Sequence, residues 1–310
     1  MNKTDKIFVA GHNGMVGSAI VRKLQALGYT EIITKDRKEL DLTNQIAVDS
    51  FFQKEQPEYI FIAAAKVGGI LANATFRADF IYTNVMIQTN LINASYSYGA
   101  KKLLFLGSSC IYPKLSKQPM KEEYILSGPL EPTNQSYALA KLAGIEMCDA
   151  YRAQYGCNFI SVMPTNLYGP NDNYDLKNSH VLPALLRKAH QSKKENREYL
   201  SVWGSGEPLR EFMHVDDLAD ACHLLMQSYN KAGIINVGSG REVKIKELVS
   251  IIMKVVGYKG QVIYDSDKPD GTPRKLMDSS KIDALGWNPK IGLEEGIKSV
   301  YSNITNENWY

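Results

Sequence analysis

Two side chains that could move a proton together, Tyr137 and Lys141, stand four residues apart in a stretch with helical periodicity. This spacing places them on one face of a helix, one turn apart. A tyrosine has an ordinary pKa of about 10, which is high for proton transfer near neutral pH, and a nearby ammonium group lowers it by stabilising the phenolate. Because the same spacing occurs by chance in amphipathic helices, the proton-transfer interpretation needs support from the rest of the sequence.

A serine lies 29 residues before Tyr137, directly after a glycine. The apolar run 104–106 before Gly107 and Ser108 predicts a buried strand that ends in a Gly-Ser turn. In open α/β sheets, ligands bind at the carboxyl ends of the strands. We therefore expect the Ser108 hydroxyl to donate a hydrogen bond to a substrate carbonyl beside Tyr137.

A glycine-rich turn joins a predicted strand at 7–10 to a predicted helix at 18–27. Its first glycine allows a tight turn, the second lets the backbone approach a pyrophosphate, and the third lets the helix pack closely on the strand. The helix N-terminus offers unpaired N–H groups and a partial positive charge to the phosphates. The turn therefore predicts a dinucleotide site, formed by Gly11, His12, Asn13, Gly14, Met15, Val16 and Gly17.

The end of the second predicted strand distinguishes NAD from NADP. An acidic residue there binds the ribose hydroxyls of NAD, whereas a basic residue accommodates the 2′-phosphate of NADP. Both kinds are present, because Asp36 stands between Lys35 and Arg37, with Lys38 following. The excess of basic residues favours NADP(H), with Arg37 at the phosphate, and the alternative is a solvated turn.

The composition restricts the classes of function. Apolar residues make up 44% of the 310 residues and charged residues 22%, which is typical of a soluble globular enzyme. A formal net charge of +3 offers no broad electrostatic surface to nucleic acid or to an anionic membrane. The longest apolar run, residues 59–65, is far shorter than the roughly 20 residues that cross a bilayer. We expect neither a nucleic-acid partner nor a membrane span.

The cysteines suggest a compartment. The four of them form neither a C-x-x-C pair nor a cluster with the spacing of metal ligands. The glycine-rich turn begins as early as Gly11, which leaves no room for a signal peptide. We expect reduced thiols, no bound metal and a cytoplasmic location.

Apolar runs alternate with amphipathic stretches over the first 165 residues, as in a parallel sheet with helices on both faces. Beyond them, irregularly spaced prolines indicate shorter elements. Strands are predicted at 7–10, 31–34, 59–64, 103–106, 159–162 and 234–237, and helices at 18–27, 81–94, 137–155 and 243–256. We predict a Rossmann-type, doubly wound α/β domain made of residues 1–164 and about 212–240, with a smaller, discontinuous α/β substrate lobe made of about 165–211 and 241–310.

Long runs of the chain resemble the extended short-chain dehydrogenase/reductase superfamily and, within it, the GDP-L-fucose synthase family. The resemblance covers nearly the whole chain and is weakest at 191–200, at 228–243 and in the last twenty residues. It is carried by GHNGMVGSAI (11–20), AAAKVGGILAN (63–73), LLFLGSSCIYPK (103–114), EPTNQSYALAKLAGI (131–145), SVMPTNLYGPND (161–172), NSHVLPALLRK (178–188), VWGSGEPLREFMHVDD (202–217) and KPDGTPRKLMD (268–278).

The resemblance implies NADPH-dependent conversion of GDP-4-keto-6-deoxy-D-mannose to GDP-L-fucose, by epimerisation at C3 and C5 and reduction at C4. Epimerisation needs a base on one face of the sugar and an acid on the other. The family places this pair at Cys110 and His180, and thiols and imidazoles have ordinary pKa values of about 8.5 and 6.5, which suit proton transfer near neutrality. Which of the two is the base stays open. Tyr137, helped by Lys141, would protonate the alkoxide after hydride transfer.

The resemblance also assigns binding residues. Cofactor contacts would come from Leu106, Gly107, Lys141, Pro164, Thr165, Asn166, Leu167 and His180, in addition to the glycine-rich turn and Arg37. The GDP-sugar would be held by Lys188, Trp203, Arg210 and Asp270. A guanidinium can bind a diphosphate with two hydrogen bonds, and an indole offers a flat face to a base or sugar. Without the resemblance, Asp270 would be interpreted as an ordinary turn residue.

Two alternatives remain at this point. The chain could be another nucleotide-sugar epimerase or reductase, although dehydratases of the superfamily usually carry an acidic pair where Ser109 and Cys110 stand, and 4-epimerases usually lack both Cys110 and His180. It could also be a non-catalytic NADP-binding regulator, but such proteins commonly lose the Tyr/Lys pair. A homodimer is expected from the resemblance, with the helix of Tyr137 and its neighbour forming a four-helix interface.

Overall fold

Six short strands form a parallel sheet in the computed structural model, which describes residues 1–176, 178–268 and 270–304. They are β1 (Ile7–Ala10), β2 (Ile32–Ile33), β3 (Tyr59–Ile62), β4 (Lys102–Leu106), β5 (Phe159–Pro164) and β9 (Ile234–Val237). Each lies within two residues of a predicted strand. The order across the sheet is β2-β1-β3-β4-β5-β9. Strand β2 lies on one side of β1 and β3 on the other, so the order of strand addition reverses between β1 and β3. Nucleotides bind at such switch points, and the glycine-rich turn follows β1 directly.

Alternating side chains of the strands pack on opposite faces of this sheet. Val9 packs in an apolar core on one face of the sheet, whereas the preceding residue, Phe8, packs in a separate apolar core on the other face. The helices are α1 (Met15–Ala26), α2 (Gln45–Glu55), α3 (Ile70–Thr75), α4 (Arg77–Ser97), α5 (Gln135–Tyr155), α6 (Val181–Lys194), α7 (Val215–Ser228), α8 (Ile245–Val256), α9 (Ser280–Asp283) and α10 (Leu293–Asn303). The two covered faces confirm the predicted doubly wound α/β fold. None of the helices in the described ranges is long and apolar enough to cross a bilayer.

The remaining strands form two small sheets. They are β6 (Asn166–Tyr168), β7 (Tyr199–Trp203), β8 (Leu209–His214), β10 (Glu242–Lys244), β11 (Gln261–Asp265) and β12 (Arg274–Lys275). Strand β8 is flanked by β10 and β12 and also pairs with β6, whereas β7 pairs with β11. A third apolar core lies under α6, α8 and α10. The predicted substrate lobe includes Ile282 and Trp287, yet both side chains are buried in the core beside α1 and α7. The boundaries of the two parts otherwise stay a prediction.

Residues 273–278, which we name the bridging segment, connect the two parts of the structure. On one side Leu209 of β8 donates its backbone N–H to Pro273 O, at 2.9 Å. On the other side Leu276 N–H donates to Gln118 Oε1 at 2.8 Å, and Met120 N–H donates to Leu276 O at 2.8 Å. The segment is therefore hydrogen-bonded both to the sheet that contains β8 and to the loop that follows β4.

The Glu211 carboxylate stabilises this junction from inside the protein. It is fully buried and accepts hydrogen bonds from the backbone N–H groups of Met277, at 3.0 Å, and Gly240, at 2.8 Å. Burial raises the pKa of Glu211, although these backbone hydrogen bonds partly oppose the rise. An acceptor placed between three chain segments is difficult to replace, because each N–H would otherwise be buried without a partner.

We therefore expect Glu211→Ala to lower the free energy of unfolding by about 2–4 kcal/mol, because it leaves buried N–H groups without an acceptor. Glu211→Gln keeps one acceptor oxygen and should cost less. Chemical denaturation measures both. Glu207→Ala is the control, because Glu207 pairs with Lys244 and Lys246 at the exposed surface of the same part of the chain, and its loss should change stability little. Equal losses for Glu211→Ala and Glu207→Ala would contradict the role of the buried carboxylate.

Candidate active site

The carboxyl end of β4 places a serine and a cysteine in contact. Gly107 follows the strand in a space so tight that a Cβ would stand 2.3 Å from Met163 Cε. Ser108 then caps a short 3-10 helix, Ser109–Ile111, and its hydroxyl oxygen accepts a hydrogen bond from Cys110 N–H. As a result, the Ser108 Oγ and Cys110 Sγ atoms lie 2.8 Å apart. The hydroxyl and the thiol therefore form one hydrogen-bonded unit at the position where ligands of such sheets bind.

Helix α5 brings Tyr137 and Lys141 to the same place. The Lys141 ammonium is buried and donates to Leu106 O at 2.8 Å, and it lies 5.8 Å from the centre of the Tyr137 ring. Burial lowers the pKa of Lys141 to about 8, although Cys110 partly opposes this. The predicted proximity of Ser108, Tyr137 and Lys141 is thus present.

The direction of the Tyr137 pKa differs from the expectation. Burial raises this pKa, Cys110 raises it further, and a hydrogen bond with Ser108 lowers it only in part. The lysine does not reverse the rise, because its ammonium donates to the strand carbonyl instead of to the phenol. Tyr137 is therefore a protonated phenol at neutral pH, which suits a proton donor better than a base.

His180 lies at the N-terminus of α6, in a different element from Ser108 and Cys110. It precedes the first helical residue, and its side chain makes no capping hydrogen bond. His180 is exposed, yet desolvation by the surrounding protein and the charge of Lys275 lower the pKa of its imidazole. Its imidazole is therefore neutral at pH 7. The same lysine also interacts electrostatically with Cys110, so Cys110 and His180 share a charged neighbour.

A glycine segment holds the loop that carries His180. Gly69 donates its N–H to Asn178 O at 2.7 Å, and a Cβ at this glycine would stand 2.5 Å from Ser179 O. The segment is itself held by a buried asparagine, because the Asn73 side-chain amide donates to Gly69 O at 3.0 Å. The position of His180 thus depends on the close approach of two backbones.

The glycine-rich turn has the geometry of a dinucleotide cradle. Gly11 has φ +86° and a Cβ there would be 2.6 Å from Ala64 N, while a Cβ at Gly17 would be 2.1 Å from Gly11 O. Gly14, which is exposed, precedes α1 and donates its N–H to Gly11 O at 3.0 Å. His12 Nδ1 is buried without a hydrogen-bond partner in the described ranges. These features fit a bound dinucleotide whose pyrophosphate meets the start of α1.

The loop after β2 fits the phosphate of NADP. The Asp36 carboxylate accepts hydrogen bonds from the backbone of its own turn, from Lys38 N–H at 2.7 Å and from Glu39 N–H at 2.9 Å. Lys35 pairs with Glu39 at 3.2 Å. Arg37 is exposed and takes part in no ion pair with another described residue. The only acid of the predicted ribose site is thus used locally, and a guanidinium remains available.

The predicted cofactor contacts at the end of β5 are hydrogen-bonded to β8. The predicted contacts Pro164, Thr165, Asn166 and Leu167 lie on β5, on β6 and between them. Thr165 and Asn166 both donate side-chain hydrogen bonds to the backbone oxygen of Glu211, at 3.4 and 2.8 Å. These side chains are therefore oriented by the same residue that holds the bridging segment.

The predicted substrate residues gather around one exposed indole. The ammonium groups of Lys188 and Lys268 lie 5.5 and 5.7 Å from the centre of the Trp203 ring. Asp270 holds the turn after Trp203, because its carboxylate accepts from Ser205 N–H at 2.7 Å and from the Ser205 hydroxyl at 2.8 Å. Pro269, part of the predicted Lys-Pro-Asp-Gly turn, lies outside the described residues. The carboxylate of Asp270 therefore has a structural partner, which the turn motif did not predict.

Arg210 completes this group on β8. Its guanidinium donates to Leu209 O at 2.8 Å and to Asp270 O at 3.5 Å. Burial lowers the pKa of Arg210, and Asp270 opposes this. Burial likewise lowers the pKa of Lys188. A cluster of cations that are held by carbonyls and an aromatic ring, and not by carboxylates, suits an anionic ligand.

Sequence reasoning missed two lysines of this region, Lys268 and Lys275. Both stand in the run 268–278 that carries the resemblance, but a lysine in a short polar run has no periodicity that separates it from a solvated side chain. Only the pairing of β12 with β8 and the contact of the Lys268 ammonium with the Trp203 ring show where these two lysines lie.

Comparison with known proteins agrees with this geometry. The NAD dependent epimerase/dehydratase family matches residues 7–238. GDP-L-fucose synthase 1 of Arabidopsis thaliana is 57% identical over 309 residues, which are 100% of this chain and 94% of that protein. GDP-L-fucose synthase of Escherichia coli (strain K12) is 52% identical over 305 residues, which are 96% of this chain and 95% of that protein.

Solved structures match the fold over almost the whole chain. A GDP-mannoheptose C4 reductase from Campylobacter jejuni with NADP bound is 42% identical, with a TM-score of 0.90 over 97% of this chain and 98% of that one. A GDP-L-fucose synthetase from Naegleria fowleri bound to NADP is 28% identical, with a TM-score of 0.90 over 97% of this chain and 94% of that one. With the sheet, the glycine cradle and the Ser/Tyr/Lys group in place, the chain belongs to the NAD dependent epimerase/dehydratase family and, within it, to the GDP-L-fucose synthases.

Proposed function

We propose that the chain converts GDP-4-keto-6-deoxy-D-mannose to GDP-L-fucose, and that one cleft carries out the epimerisations at C3 and C5 and the reduction at C4. The observation that carries the proposal is the contact of the Ser108 hydroxyl with the Cys110 thiol, 2.8 Å apart, beside Tyr137 and Lys141. This contact supports the proposal, because a hydroxyl that can donate to a ketone oxygen lies next to a thiol that can exchange a proton with a neighbouring carbon.

The epimerisation steps follow from these positions. A base removes the proton from C3, and the electron pair moves into the enolate, whose oxygen accepts hydrogen bonds from Ser108 and Tyr137. An acid on the opposite face then delivers a proton to the same carbon, and the sequence is repeated at C5. We assign the two faces to Cys110 and His180, which come from different elements and share Lys275 as an electrostatic neighbour.

Reduction uses the same clamp on the ketone oxygen. NADPH supplies hydride to C4 when it is bound. The glycine-rich turn, Arg37 and the β5–β6 residues hold this cofactor, and Lys141 orients it at the ribose. Tyr137 donates its phenolic proton to the alkoxide as charge develops there. A phenol whose pKa is raised by burial keeps its proton until that moment.

A second candidate function is reduction without epimerisation. The solved structure of a GDP-mannoheptose C4 reductase, at 42% identity, favours it. A non-catalytic regulator is disfavoured because Ser108, Tyr137 and Lys141 are assembled as a unit.

We also infer a homodimer, since α4 and α5 expose a set of large apolar side chains: Ile81, Tyr82, Tyr96, Leu139 and Tyr155. The four described cysteines are free, which supports a cytoplasmic location.

The deciding experiment combines NADPH oxidation with NMR of the product and with exchange of the C3 and C5 protons in D2O. We expect GDP-L-fucose from the wild type. Cys110→Ser should slow C3 and C5 exchange by about 100-fold or more, and Tyr137→Phe should slow reduction by a similar factor, because general acid–base groups contribute about 10²–10⁴-fold.

Cys157→Ser makes the same chemical change outside the site and should leave both rates near wild type. A product with unchanged C3 and C5 configuration would favour the reductase candidate. Unimpaired exchange in Cys110→Ser would exclude the thiol from the epimerisation pair.

Gly69→Ala tests the support of His180. The added methyl would lie 2.5 Å from Ser179 O, so the loop of His180 must move. We expect C3 and C5 exchange to fall by about 10-fold, with NADPH affinity close to wild type, because a small displacement of a catalytic group is costly. Gly292→Ala is the control: its backbone has φ −68° and no atom lies within 4 Å of the added methyl. Equal effects on exchange and on NADPH affinity would contradict a local role.

Arg37→Ala tests the cofactor preference. Loss of a charged contact with the 2′-phosphate should weaken NADPH binding by about 10-fold or more and leave NADH binding nearly unchanged. Fluorescence titration measures both affinities. Arg241→Ala, which removes an exposed arginine from the other part of the chain, should change neither. An equal loss of affinity for the two cofactors would show that Arg37 does not recognise the phosphate.

A further inference from the structure

Each of the proposed epimerisations leaves the proton-transfer pair in a changed protonation state. The base gains a proton from the sugar carbon, and the acid loses one to the opposite face of the same carbon. In the chair form of a 6-deoxy-D-mannose ring, the hydrogens on C3 and C5 are both axial and lie on the same face. The same member of the pair must therefore remove both. The base must lose its proton and the acid must regain one before the second carbon can react.

The two members of the pair differ in their access to water. His180 is exposed at the N-terminus of α6 and can exchange its proton directly with solvent. Cys110 is only partly exposed, and its thiol lies 2.8 Å from Ser108 Oγ. In the proposed mechanism Ser108 holds the ketone oxygen, so the bound sugar lies against the thiol and restricts its access to water from the cleft. The thiol therefore needs a second route to solvent.

A small cavity adjoins Cys110 and offers such a route. Its volume of about 50 Å³ is far below the roughly 300–1,000 Å³ of pockets that bind small molecules, but it accommodates water. It is also lined by Asn134, at the start of α5. The Asn134 Oδ1 atom is buried without a hydrogen-bond partner in the described ranges. Because buried polar atoms are normally hydrogen-bonded, by ordered water where no protein group is in reach, this oxygen indicates a water position.

Glu131 is the group at this cavity that can accept a proton. Among the described residues that line the cavity, it carries the only carboxylate. The Tyr112 phenol already donates to Asn236 Oδ1 at 2.6 Å, and burial raises its pKa. The other lining groups that carry a charge are cations, which offer no acceptor for a proton at neutral pH: Lys114, Arg274 and Lys275.

The Glu131 carboxylate also meets bulk solvent. Its side chain is 23% exposed, and Glu131 Oε2 pairs with the exposed Lys114 ammonium at 3.1 Å. The Thr133 hydroxyl donates to Oε1, at 3.4 Å. These two contacts hold the carboxylate at the cavity, while its exposed part can exchange protons with water. One carboxylate thus lies between the surface and the cavity that Cys110 lines.

We propose that Glu131 exchanges the proton of Cys110 with solvent through water in this cavity, and so resets the thiol between the two epimerisations. This inference rests on the proposed function, in which Cys110 belongs to the proton-transfer pair. If Cys110 is the base, its proton passes through the water to Glu131 and then to solvent. If Cys110 is the acid, Glu131 passes a proton from solvent to the thiolate by the same route. In both cases Glu131 acts through Cys110 and not on the sugar.

The test follows a single turnover of GDP-4-keto-6-deoxy-D-mannose in D2O, with NADP⁺-saturated enzyme in excess so that exchange proceeds without reduction. NMR measures deuterium incorporation at C3 and C5 separately. In Glu131→Gln, the carbon that exchanges first should do so at the wild-type rate, because the pair begins in the correct state. Exchange at the second carbon should be slower than in the wild type by about 10-fold or more, because the thiol must first be reset.

Matched variants separate proton exchange from a structural effect. Glu131→Asp keeps a carboxylate and should restore most of the second rate. Glu123→Gln makes the same change as Glu131→Gln at an exposed glutamate that does not line the cavity, and should alter neither rate. Thermal unfolding and NADPH affinity should be unchanged in all three variants.

Two results would overturn the inference. One is equal slowing at both carbons in Glu131→Gln, which is the expected effect of a distorted site. The other is a second exchange at the wild-type rate in that variant. The proposed function fails separately, and without any variant, if the wild type exchanges neither carbon.

Discussion

The buried carboxylate of Glu211 is the interaction on which the rest of the site depends. Its oxygens accept N–H groups from the bridging segment and from the loop after β9, while its backbone oxygen accepts the side chains of Thr165 and Asn166. One residue of β8 thus connects the cofactor side, the strand of Arg210 and the strand of Lys275. Because a buried carboxylate is stable only when it is well hydrogen-bonded, each of these connections supports the others.

The charges of the cleft are mostly positive and mostly without acidic partners. Burial lowers the pKa of Lys141, Lys188, Arg210 and His180, and it lowers the pKa of Lys275 together with the neighbouring arginine. The chain as a whole carries a net charge of only +3. The cations are therefore concentrated in the cleft in which we propose that the cofactor and the nucleotide-sugar bind, and those anions would balance the repulsion among them.

Rigid elements and close backbone contacts determine the geometry of the reacting groups. Ser108 and Cys110 are set by the end of β4 and a short 3-10 helix, and Tyr137 and Lys141 by one turn of α5. His180 comes from a loop, and its position is set by Gly69, whose lack of a side chain lets two backbones approach. In the proposed mechanism, a ketone held by Ser108 and Tyr137 meets the proton-transfer groups of Cys110 and His180 without leaving the cleft.

The sequence by itself determined the local features of this protein. The alternation of apolar runs predicted all six strands of the large sheet, and the glycine spacing, the Tyr/Lys spacing and the strand-end serine indicated the dinucleotide site and the carbonyl-binding group. These signals are contiguous, because they depend on the period of one strand or helix or on the conformation of one turn. Tertiary structure alone decided the rest. Burial in the folded protein raises the pKa of Tyr137, and the Asp270 carboxylate accepts a hydrogen bond from Ser205. Ile282 and Trp287 pack in the core beside α1, and Lys275 lies beside Arg210. Each of these outcomes depends on packing or strand register between segments far apart in the chain, and local periodicity carries no information about register.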